Sequence, residues 1–76
     1  MTTRYEQARA VAERMRVERE RQGLSQGSVA DRLLMSEGLY SRIESADILE
    51  AAFWFEVPNV AWVLGIPVEV LTEVRE

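Results

Sequence analysis

Residues 23–44 constrain this chain most. They read Gly23-Leu24-Ser25-Gln26, then Val29-Ala30, Leu33, Ser36 and finally Tyr40-Ser41-Arg42-Ile43-Glu44. A serine at a helix start accepts a hydrogen bond from an orphan backbone N–H, so Ser25 and Ser36 each open a short helix. Val29, Ala30 and Leu33 fall at i, i+1 and i+4, the apolar stripe of the first of these. Tyr40 and Ile43, three apart, form the inner face of the second. The predicted spans are about 26–34 and 37–45. Gly27 and Gly38 weaken them, since glycine costs about 1 kcal/mol against alanine in a helix interior. Two capped helices joined this tightly cross at a steep angle.

The flanks read as helices too. Thr3 followed by Glu6 makes a capping box. The helix it starts runs to about residue 22, with Tyr5, Ala8, Val11, Ala12 and Met15 as its apolar positions. Arg9 with Glu13, Arg16 with Glu20 and Glu18 with Arg21 suit a solvated face, at a few tenths of a kcal/mol per pair. Gly23 ends it as a left-handed residue. After residue 45 the chain turns acidic and apolar. Ile48, Leu49 and Ala52 have the spacing of one extra helical turn. Pro58 fits the first turn of a fourth helix, where its missing N–H matters little, and that helix continues through Val60, Ala61 and Leu64 to Gly65. Pro67 starts a last one, with Val68, Leu71 and Val74 inward.

Seventy-six residues make one small domain, 1–76. A core of this size supplies only a few kcal/mol of net stability, so oligomerisation is a common supplement. The chain has no cysteine and no histidine, hence no thiolate metal site, and it lacks the commonest general base. No Asp/Glu cluster at metal-ligand spacing and no phosphate-cradling glycine loop occurs. These absences argue against an enzyme, a metal and a cofactor. No apolar run reaches the ~18 residues of a membrane span, and the N-terminus lacks the apolar region of a signal peptide. A cytoplasmic protein is the simplest reading.

The helical pattern and its residues resemble the phage-repressor (Cro, XRE-like) helix-turn-helix family. The match is carried by Arg19, Gly23-Leu24-Ser25-Gln26, Val29-Ala30, Leu33, Ser36 and Ser41-Arg42-Ile43-Glu44, and resumes with Val60-Ala61, Leu64-Gly65-Ile66 and Leu71. The resemblance implies an all-α, compact five-helix, lambda-repressor-like domain. Its helix-turn-helix core lies at about 25–45 and its C-terminal helices at about 57–74. It also implies a small DNA-binding transcription regulator, a homodimer with its third helix in the major groove of a two-fold operator.

The resemblance further implies roles for single residues. Arg19 pairs with Glu44 as a structural ion pair, the alternative being two separate surface charges. Gln26 touches the DNA backbone, where the helix dipole and free N–H groups favour an anion; the alternative is a solvated glutamine. Arg14, Arg21 and Arg32 are further candidates for phosphate, each with acids nearby. The reading head is Ser36, Glu37, Gly38 and Leu39, with Ser41 and Arg42 one turn on. Arg42 can read guanine O6 and N7, Glu37 can accept only from cytosine N4, and Leu39 can touch a thymine methyl. Gly38 permits close backbone approach.

Two features sit awkwardly with DNA. The net charge is −4, the wrong sign for a typical DNA-binding domain. Its distribution softens the conflict: residues 1–45 hold eight Arg and seven acids, net +1, and residues 46–76 hold one Arg and six acids, net −5. Every basic residue is Arg, which follows either from a GC-rich genome or from selection for bidentate phosphate contacts. The second feature is residues 46–57, acidic and aromatic where the family usually places a basic loop. Phe53, Trp54 and Phe55 cannot all face one core, and an exposed Trp beside apolar groups marks a partner site. Leu49, Phe53, Trp54, Phe55 and Trp62 are therefore candidates for a dimer or partner interface; the competing reading folds Phe53 and Trp54 over the first and last helices. The runner-up function follows: a helix-turn-helix-derived protein-interaction module, antitoxin-like or anti-repressor, with weak or no DNA binding. A third is a DNA binder competent only when a partner supplies positive charge.

Overall fold

Hydroxyl caps start three of the helices. The computed structural model describes residues 3–73, so Val74 lies outside the described residues. Among them the elements are α1 (Arg4–Arg21), α2 (Gln26–Leu33), α3 (Glu37–Glu44), α4 (Glu50–Leu64) and α5 (Val68–Thr72), with no strand. Thr3 accepts from the Glu6 N–H at 3.1 Å while the Glu6 carboxylate accepts from the Thr3 N–H at 2.9 Å. Ser25 accepts from Ser28 N–H at 3.0 Å and Ser36 from Leu39 N–H at 3.1 Å.

The helices α1 to α4 all stop in the same way. A residue at the cap (α2, α4) or just after it (α1, α3) turns left-handed, and the next N–H bonds back to a carbonyl of the last full turn. Gly23 (φ 73) ends α1, with Leu24 N–H donating to Arg19 O at 3.0 Å, and Gly65 (φ 69) ends α4, with Ile66 N–H donating to Ala61 O at 3.1 Å. At the ends of α2 and α3 the left-handed residues are Leu34 (φ 60) and Ala46 (φ 57). Their motifs close equally well, through Met35 N–H to Ala30 O at 3.0 Å and Asp47 N–H to Arg42 O at 2.8 Å. A side chain in this conformation costs roughly 1–2 kcal/mol. Leu34 is thus a turn residue, and α2 stops one residue short of the span its apolar pattern predicts.

The fourth helix departs furthest from the sequence expectation. It starts at Glu50, and Pro58 lies inside it instead of in its first turn. Phe53, Val57, Val60, Ala61 and Leu64 are buried and follow a single helical stripe that runs straight through the proline. An interior proline costs about 3 kcal/mol. Burying Phe53 and Val57, at about 1.5–3 kcal/mol each, offsets it.

These residues meet Val11, Ala12 and Met15 of α1, Val29 and Ala30 of α2, Tyr40 and Ile43 of α3 and Leu71 of α5 in one buried cluster. Side chains close its edges: Arg14 Nη1 donates to Leu71 O at 3.1 Å, and Gln22 Nε2 to Leu64 O at 2.7 Å. No helix among the described residues is long and apolar enough to cross a membrane.

Candidate nucleic-acid interface

A charged network locks α3 to the rest. Arg19, on α1, donates from Nε to Glu44 Oε2 at 2.6 Å and from Nη2 to Glu44 Oε1 at 3.1 Å, and its Nη1 donates to Leu24 O at 2.8 Å. The pair is bidentate and nearly out of solvent, which is the geometry where an arginine–carboxylate contact is strongest. Gln26 joins it, its Nε2 donating to Glu44 Oε1 at 3.1 Å. The side chain expected on the DNA backbone is therefore turned inward and ties the start of α2 to the end of α3.

Burial alone would raise the Glu44 carboxyl, but the bonds from Arg19, the nearby Tyr40 hydroxyl and the bond from Gln26 outweigh it and hold the group below its ordinary value. Burial pushes the Tyr40 phenol far up. Its hydroxyl has no hydrogen-bond partner of standard geometry, yet lies close enough to Glu44 to help hold the charge there. The Tyr40 proton therefore stays on.

With Tyr40 and Ile43 buried, the opposite side of α3 faces outward. Ser36, Glu37, Gly38, Leu39 and Arg42 are exposed and Ser41 is half-buried. Ser36 is already engaged as the cap. Arg42 Nε donates to Asp47 O at 3.0 Å, which steadies the guanidinium of an otherwise exposed side chain. Nothing lies within 4 Å of a Cβ built on Gly38. Glu37 leans across to α2: a Cβ added at Gly27 would come within 3.0 Å of Glu37 Oε1. The carboxylate thus covers the first turn of α2, a position that favours anions, and the space it uses exists because residue 27 is glycine.

The other arginines divide. Arg14 is half-buried and tied to α5 through its bond to Leu71 O. Arg21 pairs with Glu18 at 3.4 Å. Arg16 pairs with Glu13 and Glu20. Arg32 is exposed and has no ion-pair partner among the described residues. No group of His, Cys, Asp and Glu that could hold a metal occurs among those residues.

The aromatic run is split by the helix that carries it. Phe53 is 1% exposed and belongs to the core, so it presents no surface to a partner, contrary to the interface expectation. Trp54 is half-buried and packs edge-on against it, ring centroids 5.1 Å apart. Leu49, Phe55 and Trp62 are exposed. The residue that sequence reasoning passed over is Leu34, 94% exposed. A signal was present in the run Leu33-Leu34-Met35, because three consecutive apolar side chains at a helix end cannot all turn inward.

A family model described as a helix-turn-helix domain matches residues 10–72. Neither curated proteins nor solved structures gave a match.

Proposed function

The chain belongs to the helix-turn-helix domain family, and from that premise we propose that it is a DNA-binding transcription regulator of the XRE-like type, a cytoplasmic homodimer acting on a two-fold operator. The observation that carries the reading is the outer face of α3: exposed at Ser36, Glu37, Gly38, Leu39 and Arg42, on a helix whose inner face is core and whose far end is clamped by Arg19 and Glu44. A rigid helix with a free polar face is what direct readout in the major groove requires. Arg42 supplies the base contact, since its terminal amino groups can span guanine O6 and N7. Ser41 and Gln26 supply contacts to phosphate, Gln26 by sharing or leaving its bond to Glu44, and Leu39 offers an apolar contact to a thymine methyl. Glu37 opposes phosphate unless a cytosine N4 turns it into the groove.

Few arginines are free on this side, so binding rests on about three to five phosphate neutralisations per dimer. The slope of log affinity against log salt is then about −3 to −5. Fluorescence anisotropy on DNA from upstream of the protein's own gene tests the reading. Arg42→Ala should weaken specific binding by about 1–3 kcal/mol and relax one base position. Equal loss on random DNA reassigns Arg42 to phosphate.

One observation favours a second reading. The Glu37 carboxylate already sits over the first turn of α2, in a protein of net charge −4. In that reading the scaffold is a protein-interaction module, antitoxin-like or anti-repressor. Absence of binding to any upstream sequence at about 50 mM salt would favour it.

A further inference from the structure

We propose that Leu34, Phe55 and Trp62 form one interface, and that its occupant is a second copy of this chain in a two-fold dimer. The inference rests on the homodimeric reading above and assigns it a surface. Phe55 and Trp62 are 72% and 81% exposed, and with Asn59 they follow the i, i+4, i+7 stripe of α4, opposite the stripe that faces the core. Leu34 joins them from the α2–α3 turn. It lines, with Trp62, Asn59, Arg32 and Glu56, a shallow cleft of about 290 Å3, below the usual range of small-molecule pockets yet roomy enough for a side chain.

Leu34 is disfavoured twice in an isolated chain. It holds a left-handed backbone at φ 60, where glycine or asparagine is easier, and it exposes nearly its whole side chain. Burial against a partner removes the second penalty.

Area and charge name the occupant. The three side chains expose roughly 500 Å2, at the upper end of the largest patch on ordinary monomers. Mated with an identical patch they bury about 1,000 Å2, the size at which a specific interface begins. A two-fold contact also demands a self-complementary patch, and this one carries one cation and one anion. Arg32 and Glu56 border the cleft and do not pair with each other, so the rotation sets Arg32 of each copy against Glu56 of the other.

Sedimentation equilibrium of the full chain tests this. The wild type should dimerise, and Trp62→Glu should weaken the dimer about tenfold or more. Leu34→Asn should weaken it similarly while raising the melting temperature of dilute, monomeric protein, because asparagine accepts the left-handed turn. Opposite signs in the two measurements exclude simple unfolding. Arg32→Glu and Glu56→Arg should each weaken the dimer, and the double exchange should restore it. A wild type that stays monomeric near millimolar concentration overturns both the surface and the homodimer. A dimer insensitive to Leu34→Asn and Trp62→Glu overturns the surface alone and leaves the homodimeric regulator standing. A dimer built on this patch that binds no DNA leaves the surface intact and removes the regulator.

Discussion

The half of the molecule that carries α1 to α3 and the half that carries α4 and α5 share one apolar core and differ in how their helices are started and joined. In the first, Thr3, Ser25 and Ser36 cap the helices with their hydroxyls, and Arg19, Gln26 and Glu44 join the three elements in one hydrogen-bonded cluster. In the second, neither Leu49 nor Pro67 makes a side-chain cap, and α4 runs through a proline because its apolar stripe is worth more than the lost N–H. Polar bonds are directional, so they set where α3 points. Apolar burial is not, so it tolerates an irregular helix and leaves Phe55 and Trp62 uncovered. The proposed reading head lies on the first kind of scaffold, the proposed dimer surface on the second.

The sharpest way to break this contrast is Phe53→Ala. Phe53 is fully buried between α4 and the rest of the core, and truncating such a side chain typically costs about 3–5 kcal/mol. Phe55→Ala, two positions on and exposed, should change the stability of dilute protein by less than about 0.5 kcal/mol. Urea denaturation measures both. A small loss at Phe53 would mean that α4 is anchored only beyond Pro58 and that the second half is not built by its stripe.

The polar half should yield somewhat less. Arg19→Ala strands Glu44 in a buried site and should destabilise by about 2–4 kcal/mol. The double change with Glu44→Gln should cost less than the two single losses combined, and strict additivity would dissolve the network. The same pair predicts an acid response. The folded value of Glu44 lies below its ordinary 4.5, so its contribution is complete above that value and disappears as the pH falls through the folded one. Melting temperature should therefore drop on acidification below about pH 4.5, and the drop should flatten in Glu44→Gln.

How far each half was legible follows from the same contrast. Caps are local, so Thr3, Ser25, Ser36 and Gly23 announced the first three helices, and Tyr40 with Ile43 announced which face of α3 turns inward. The α4 start at Glu50 is masked in the sequence because Pro58 is a strong local breaker. The stripe through Phe53, Val57, Val60 and Leu64 was present in the letters, but its weight depends on tertiary packing. In the candidate site, the outward placement of Arg42 and Gly38 follows from helical periodicity. The inward turn of Gln26, the lean of Glu37 and the left-handed Leu34 do not, because each depends on a neighbour from another element.

A smaller effect tests whether the polar half is built for DNA at all. If Glu37 covers an anion seat on α2, then Glu37→Gln removes one negative charge from the proposed DNA-facing side. Binding should strengthen by about 0.5–1 kcal/mol, a gain that shrinks as salt screens it. Anisotropy titrations at two salt concentrations show both changes. A weaker affinity would mean that Glu37 contributes to base readout through cytosine, and an unchanged one that its charge does not reach the DNA.

The smallest expected effect separates stability from function within α3 itself. The polar half has helical glycines at 27 and 38, and α4 has none. Gly38→Ala adds a methyl where nothing lies within 4 Å, so helix propensity alone should stabilise the protein by about 0.5–1 kcal/mol. Gly27→Ala should gain less, because its Cβ must displace the flexible Glu37 carboxylate. If glycine is needed at position 38 so that the α3 backbone can approach the groove floor, Gly38→Ala should raise the melting temperature and weaken DNA binding together, the usual exchange of stability against activity. A variant that is more stable and binds as tightly would show that the helix meets DNA through Arg42 and its neighbours without close backbone approach. One that is more stable while the wild type binds no DNA would leave Gly38 a plain weakness in α3 and hand the molecule's purpose to its apolar half.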